Sequence, residues 1–396
     1  MNTHGDLGLE LAVEQRRARV VRRHRLDGSA TSVAEAAGCV VALHATDPAT
    51  VYLSTLVRAH ALTLADVERE LYDERAVVRL MGMRRTLFAA PTATVPVVQA
   101  AAASGVARAM RRTLVKQLGT LPTEPALPTD PAEVEVWLDE TIALTEAAAA
   151  RLGQASGAQL GAAEPRLRTA ILPSTDKSYD VRRTVTSSVL TLMATEGRLV
   201  RSRPLGSWTS RQHTWEPLAP ESEPWDEAAA RAELVRRYLA AFGPATETDV
   251  VWWTGWAKGV TRAALARLDL AETSAGWVLA DDTAPEPDVD PAAALLPALD
   301  PTPMGWKERD WFLPADRTAL YDAYGNVGPT IWWGGEVVGG WAVRADGRVV
   351  TELLADRGRA CADAVATAAA ALEPRLEGAR ITPSFPTPLE RRLRTA

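Results

Sequence analysis

Three side chains that could position or deprotonate a water molecule lie within four consecutive residues, at His44, Thr46 and Asp47. A neutral imidazole can accept a proton from water, and its ordinary pKa of about 6.5 leaves it mostly neutral near pH 7. A threonine hydroxyl can orient water but is a poor base, and Asp47 supplies the nearest carboxylate. Taken alone, these residues favour a structural role, because Asp47 before Pro48 is the pattern of a helix N-cap and His44 could pack beside it.

Other catalytic chemistry has little support in the sequence. The histidines and the two cysteines have no metal-ligand spacing, and neither His-Glu-x-x-His nor Cys-x-x-Cys occurs. No lysine stands in a recognisable Schiff-base context. We therefore expect no metal and no cofactor, and we expect any hydrolysis to proceed without a covalent lysine intermediate.

The charge distribution points to the class of partner. The chain has a net charge of −6, yet residues 1–120 and 151–217 each carry +5, while residues 121–150 carry −7 and residues 218–396 carry −9. Two basic blocks on an acidic remainder indicate a local face for a polyanion. Chance variation in surface charge is the alternative that this pattern leaves open.

Length and composition describe an ordinary globular chain. It has 396 residues, 47% hydrophobic and 24% charged, which is long enough for two to four units. Two distant cysteines and an N-terminus without a signal pattern predict a cytoplasmic protein. The uncharged residues 86–107 are interrupted by prolines and polar residues, so we expect no membrane span.

The elements that would position His44 follow a recognisable order. Apolar spacing and capping residues predict helices at residues 9–24, 32–38, 47–60 and 63–71, and alternation predicts a hairpin at residues 76–88. Helices followed by a hairpin are typical of a winged-helix unit. We assign this first unit, with the His44 loop, to residues 1–120.

A similar order recurs twice farther along the chain. Residues 121–220 contain predicted helices at 131–152 and 184–195 and a basic hairpin with aromatic residues at its tip, and residues 221–284 contain three helices and a strand pair. Residues 285–396 are rich in glycine-punctuated β pattern and end in a helix at about 359–372. The predicted fold class is α+β, mainly helical.

Five stretches carry a resemblance to a known family. They are Val41-Ala42-Leu43-His44-Ala45-Thr46-Asp47-Pro48-Ala49-Thr50-Val51-Tyr52-Leu53-Ser54, Gly206-Ser207-Trp208 with Trp215, residues 249–255, Leu295-Leu296-Pro297 with Asp300-Pro301, and residues 325–339. In this order they resemble the bacterial winged-helix DNA-binding proteins that include the AlkZ/YcaQ-type DNA glycosylases. The resemblance implies three tandem winged-helix units around a DNA cleft and a C-terminal β-barrel.

The same resemblance implies hydrolysis of the N-glycosidic bond of alkylated purines, including bulky N7 adducts, by a monofunctional DNA glycosylase. In active members the two positions that flank an apolar residue before Asp-Pro hold glutamine and then glutamine, aspartate or asparagine. His44 and Thr46 occupy them here. Asp47 is a possible auxiliary group, with helix capping as its alternative role.

Seven residues are predicted to bind damaged double-stranded DNA. The arginines could neutralise phosphates, while Trp208 or Trp215 could pack in the minor groove or instead close the core of the hairpin. The predicted DNA-binding residues are Arg84, Arg85, Arg198, Arg201, Arg203, Trp208 and Arg211. Self-contained tandem units favour a monomer.

Three functional hypotheses remain open at this point. The first is the DNA glycosylase, and the second is a catalytically silent winged-helix DNA-binding protein. The third is a scaffold for a protein or small molecule. Retention on DNA after neutralisation of Arg198, Arg201 and Arg203 would favour the scaffold.

Overall fold

The structure is a computed structural model that describes residues 10–175, 178, 181–218 and 225–395. Residues 1–9 lie outside the described residues. Two predictions fall on them: that the N-terminus has no signal pattern, and that the first helix starts at Leu9. Helices form about 47% of the chain, and the strands form several small sheets. The predicted α+β class is therefore confirmed. No helix in the described ranges has the length and apolar character needed to cross a bilayer.

The first segment surrounds the His44 loop. Its elements are α1 (Val13–Arg23), α2 (Val33–Gly38), β1 (Leu43–His44), α3 (Pro48–Arg58), α4 (Leu64–Glu68), β2 (Val77–Met81) and β3 (Leu87–Pro91). Predicted helix starts are confirmed: Ser32 caps α2, and Asp47 caps α3 by accepting the Ala49 backbone N–H at 3.1 Å. The predicted hairpin is also present, and its second strand ends at Pro91 rather than Phe88. The strand order is β1-β3-β2.

The second segment is built around long helices. Its elements are α5 (Val95–Val98), α6 (Ser104–Thr120), β4 (Thr123–Glu124), α7 (Pro131–Leu152), β5 (Ala155–Ser156), α8 (Gly157–Ala163), β6 (Ala170–Ile171), β7 (Arg183–Thr184), α9 (Thr186–Thr195), β8 (Leu199–Pro204) and β9 (His213–Pro217). A π-helical turn at Gln99–Ala103 joins α5 to α6. The strands form two small sheets with orders β4-β6-β7 and β5-β9-β8. The predicted basic hairpin is β8–β9.

The third segment forms a corner beside the first. Its elements are α10 (Glu227–Phe242), α11 (Glu247–Thr254), α12 (Lys258–Leu265), β10 (Leu270–Thr273) and β11 (Gly276–Leu279). A reciprocal capping box between Thr246 and Asp249 begins α11, and Gly255 ends it with a φ of 72°. A side chain at Gly255 would also approach Arg84 closely, with a Cβ position 3.1 Å from its Cγ atom. The corner therefore fits tightly against the β2–β3 turn.

The C-terminal segment corrects two expectations. Its elements are β12 (Ala293–Leu296), β13 (Thr330–Trp333), β14 (Glu336–Val343), β15 (Val349–Leu353), α13 (Gly358–Arg375) and α14 (Pro388–Thr395). The four strands form an open antiparallel sheet rather than a closed barrel, because α13 packs against β12 and β15 while α14 packs against β14. The predicted last helix is followed by α14, which the sequence interpretation omits.

Two large hydrophobic cores contain most of the buried apolar side chains that the structure describes. One contains residues of α6–α9 and β8–β9, including Leu138 and Leu190. The other is shared by the first, third and C-terminal segments, and Trp208 of the second segment joins it. The winged-helix interpretation and the domain boundaries 1–120, 121–220, 221–284 and 285–396 stay predictions.

Candidate functional site

His44 lies in a buried position where its ring stays neutral. It faces Phe88 across the β1–β3 pair, and the two rings meet edge to face at 5.4 Å between centroids. The residue is 7% exposed, and its Nδ1 atom has no hydrogen-bond partner among the described residues. Burial, followed by the charge of Arg84, lowers the pKa of His44 to about 4. At neutral pH the imidazole is an uncharged acceptor.

The other two residues of the loop differ in their surroundings. Thr46 is exposed to solvent. Asp47 has the capping role that the sequence favours, and its Oδ2 atom also accepts a hydrogen bond from the Ser384 hydroxyl at 3.1 Å. That hydroxyl in turn accepts a hydrogen bond from the Arg211 guanidinium at 2.6 Å. The structure thus links the α3 cap to the β8–β9 hairpin through Ser384.

A buried ion pair fixes the far end of α3. Arg58 donates to both carboxylate oxygens of Asp300 at 2.7 and 2.8 Å, and the Ser54 hydroxyl donates to the same carboxylate at 2.6 Å. Both charged side chains have no exposed surface. Burial alone would raise the pKa of Asp300, but the charge and hydrogen bonds of Arg58 hold it below its usual value. The ion pair therefore joins the C-terminal part of α3 to Asp300 in the C-terminal segment.

Arg84 and Arg85 form the turn of the β2–β3 hairpin. Their φ angles are 54° and 59°, a left-handed conformation that costs non-glycine residues free energy. Neither side chain forms an ion pair within the described ranges, and the Arg84 Cζ atom lies 4.6 Å from the centroid of the Trp252 ring. The turn therefore presents two unneutralised guanidinium groups.

The predicted residues of the β8–β9 hairpin are more enclosed. Arg198 forms ion pairs with Glu146 and Glu196, at 2.9 and 3.1 Å. Trp208 is 8% exposed and packs against the Tyr52 ring of α3 at 5.1 Å between centroids. Trp208 is therefore buried, but in the core shared with α3 rather than in a core of the hairpin itself.

Arg203 and Arg201 of the same hairpin also have protein neighbours. Arg203 pairs with Glu68 and Asp73 at 3.1 and 2.7 Å. The Arg201 Cζ atom lies 5.4 Å from the Trp215 ring centroid, and burial, followed by Arg79, lowers the pKa of Arg201 to about 10. The DNA-binding roles of these residues stay predictions.

Comparison with known proteins decides the family. A family model described as DNA glycosylase AlkZ-like matches residues 37–377. The chain belongs to the AlkZ-like DNA glycosylase family. The solved structure of the Streptomyces sahachiroi DNA glycosylase AlkZ matches with a TM-score of 0.68 and 20% identity, covering 94% of this chain and 98% of that chain. At this identity the similarity shows a shared fold, and a comparison with curated proteins gives no match.

The family match confirms the resemblance stated from the sequence, and it contains His44, Thr46 and Asp47. Ser384 and Glu390 lie beyond it, and the sequence interpretation missed both. Glu390 is 5% exposed, and its Oε2 atom has no hydrogen-bond partner among the residues that the structure describes. Burial raises the pKa of Glu390 to about 7; the charge of Arg394 opposes this shift and the charge of Asp47 adds to it. A charged-apolar pattern in residues 388–395 is the one signal that could have revealed this helix.

The described residues include no group of three or more histidine, cysteine or acidic side chains placed to hold a metal ion. Cys39 and Cys361 are free thiols. The loop thus contains one neutral imidazole, one exposed hydroxyl and one engaged carboxylate. Arg84 acts electrostatically on His44, and Arg211 is connected to Asp47 through Ser384.

Proposed function

We propose that this protein is a monofunctional DNA glycosylase that hydrolyses the N-glycosidic bond of N7-alkylated purines in double-stranded DNA. The observation that carries the proposal is the buried, neutral ring of His44, at a position where the resemblance implies a catalytic residue. An imidazolium there would repel the positive charge that develops on the sugar, whereas a neutral ring accepts a hydrogen bond from water.

The proposed reaction requires only a weak base to accept the proton of the attacking water. Alkylation at N7 gives the purine a positive charge, so the C1′–N9 bond can break with its electron pair going to N9 and without a proton donor. A water oxygen bonds to C1′, and the water proton passes to an imidazole nitrogen of His44. The lowered pKa of His44 limits its strength as a base but keeps it uncharged over the whole neutral range. The exposed hydroxyl of Thr46 would orient the water.

DNA would be held by arginines on both hairpins of the proposed winged-helix units. Arg84, Arg85, Arg201 and Arg211 have no carboxylate partner in the described part of the chain and can take phosphate without giving up an ion pair. Arg198 and Arg203 would have to exchange carboxylates for phosphate, which reduces their net gain.

A second candidate is a DNA-binding protein without catalysis. It is favoured by the state of Asp47, whose carboxylate oxygens accept hydrogen bonds from the Ala49 backbone N–H and the Ser384 hydroxyl. It is also favoured by His44 and Thr46, which stand where the resemblance implies glutamine and then glutamine, aspartate or asparagine. This protein would bind duplex DNA saturably and with a marked salt dependence, and it would form no abasic sites.

The test is a base-release assay over duplexes that carry small and bulky N7-purine adducts, with binding measured on the same duplexes. Release by the wild type supports the glycosylase, and the adduct preference gives the substrate. Saturable binding with no release from any adduct supports the silent protein. In that case a gain of release by His44→Gln with Thr46→Gln would show that divergence at these two positions removed an ancestral activity.

A further inference from the structure

A cavity of about 480 Å³ lies where the first and third segments meet α6. Its walls are the β2–β3 turn, the corner between α11 and α12, and the small residues of the π-helical turn and of α6, Ala101, Ala102 and Gly105. We call it the tip cavity. It is open to solvent, and Arg84 on its wall also acts electrostatically on His44.

The tip cavity is strongly cationic. Arg84, Arg85 and Arg231 line it together with Trp256, and no acidic residue is among the described residues of its lining. Arg231 pairs with Glu227, and its Cζ atom lies 5.8 Å from the Trp256 ring centroid. Its Nε atom is buried and has no hydrogen-bond partner in the described part of the chain. Two of the three guanidinium groups therefore have no counter-charge within the described residues.

The backbone of the turn gives an independent reason to expect a ligand. Two successive arginines occupy the left-handed region, in a two-residue turn where asparagine and glycine would be less strained. Strained backbone that the fold maintains is concentrated at binding sites. Here the strain holds two unpaired positive charges at the mouth of the same cavity.

We propose that the tip cavity binds a phosphate group, the phosphodiester of the DNA strand next to the target nucleotide. Arginine suits this ligand because its planar group can donate two parallel hydrogen bonds to phosphate oxygens. The phosphate chemistry follows from the cavity itself, whereas DNA as its source rests on the proposed function. Arg309 and Trp252, next to Arg84, extend the same cationic and aromatic surface.

A steric variant tests the cavity without removing any charge. At Gly105 an added Cβ atom would meet nothing closer than the Arg108 Nη2 atom at 3.8 Å, so Gly105→Leu fills the space without backbone strain. Gly259→Leu, on α12 and with nothing within 4 Å of its Cβ position, is the matched control outside the lining. DNA affinity is measured for both as a function of salt.

The expected result is that Gly105→Leu weakens duplex binding roughly tenfold and lowers the slope of log affinity against log salt by about 0.9, the loss of one phosphate contact. Arg231→Gln should weaken binding in the same direction, while Arg359→Gln, 94% exposed on α13, should not. Equal affinity and slope for Gly105→Leu and Gly259→Leu would overturn the proposal.

A second experiment asks whether the tip cavity binds phosphate at all, independently of whether that phosphate belongs to DNA. Inorganic phosphate should raise the thermal midpoint of the wild type more than that of Gly105→Leu. If the wild type binds no DNA, the proposed function fails, and this experiment still tests the cavity as a site for free phosphate, which would overturn the assignment to DNA. Equal shifts of the thermal midpoint in the wild type and Gly105→Leu, together with equal DNA binding by the two proteins, would show that the tip cavity binds no phosphate.

Discussion

The two hairpins with predicted DNA-binding arginines differ in what surrounds those arginines. At the β2–β3 turn, Arg84 and Arg85 have no ion-pair partner within the described ranges. In the β8–β9 hairpin, Arg198 and Arg203 each pair with two carboxylates. The number of arginines in a hairpin therefore does not measure its capacity for phosphate, because an internal ion pair must be exchanged before phosphate can bind.

Packing explains the difference. Trp208 packs the β8–β9 hairpin against Tyr52 of α3, and Arg203 pairs with Glu68 and Asp73 of the first segment. Arg198 pairs instead with Glu146 and Glu196 of its own segment. The β2–β3 turn instead contacts the Trp252 ring and the Gly255 corner, which carry no negative charge. The β8–β9 hairpin joins two segments through ion pairs and the Trp208 contact, whereas the β2–β3 turn has unpaired arginines, of which Arg84 acts electrostatically on His44.

The largest expected effect comes from Trp208→Ala. The variant should lower the free energy of unfolding by about 3–5 kcal/mol, because a large ring is removed from a buried contact. Urea denaturation followed by circular dichroism measures it. Trp225→Ala, at a tryptophan that is 41% exposed, should cost less than about 1 kcal/mol. A small loss of stability for Trp208→Ala combined with weaker DNA binding would assign this ring to the DNA interface. It would contradict the view that the β8–β9 hairpin is held by packing against α3.

The next effect compares two double variants with the same change in charge. Arg84→Gln with Arg85→Gln should weaken duplex binding by about 100-fold, since each of the two lost charged hydrogen bonds to phosphate is worth roughly 1.5 kcal/mol. Arg198→Gln with Arg203→Gln should weaken it by about threefold at most, because those charges are already neutralised. Fluorescence anisotropy at fixed salt measures both. Equal losses would contradict the comparison.

A smaller effect is expected on stability when an exposed ion pair is removed. Arg203→Gln should lower the free energy of unfolding by about 1 kcal/mol or less, because the Arg203 side chain is 37% exposed and solvent screens its carboxylate contacts. Arg112→Gln, at an exposed arginine of α6 without an ion pair in the described ranges, is the control. A loss above about 3 kcal/mol would show that Arg203 is a buried structural anchor rather than a screened surface pair.

The smallest effect links the β2–β3 turn to the site. Arg84→Gln should raise the pKa of His44 from about 4, because it removes a positive charge that disfavours the imidazolium. In the unfolded chain the His44 ring has a pKa of about 6.5, so the unfolded state binds a proton more readily than the folded state as the pH falls below that value. The free energy of unfolding therefore decreases as the pH falls, and it should decrease less for the variant than for the wild type. NMR titration of the His44 ring measures the shift. An unchanged pKa of His44 would show that the charge of Arg84 does not act on the His44 ring.

Much of the local structure could be predicted because its causes are local. A helix cap depends on groups within about three residues, so Ser32 and the Asp47-Pro48 pair marked the starts of α2 and α3 correctly. The catalytic assignment of His44 rests on a resemblance in a continuous stretch of sequence. The family match confirms the resemblance, and the role of His44 stays a prediction.

The remaining features depend on contacts between distant residues. Ser384 reaches Asp47 across 337 positions and Arg211 across 173, so no spacing rule could join them. The open C-terminal sheet was wrongly expected to be a barrel because alternation predicts strands but not whether α13 will cover their edges. Which arginines have carboxylate neighbours is equally a matter of tertiary packing.

The most direct measurement of the central claim is the single-turnover rate of base release from a duplex that contains one N7-methylguanine. His44→Ala should reduce this rate by about 10²- to 10⁴-fold while leaving duplex affinity unchanged, and His60→Ala, at an exposed histidine, should match the wild type. A rate for His44→Ala equal to that of the wild type would contradict the assignment of His44 as the group that receives the water proton.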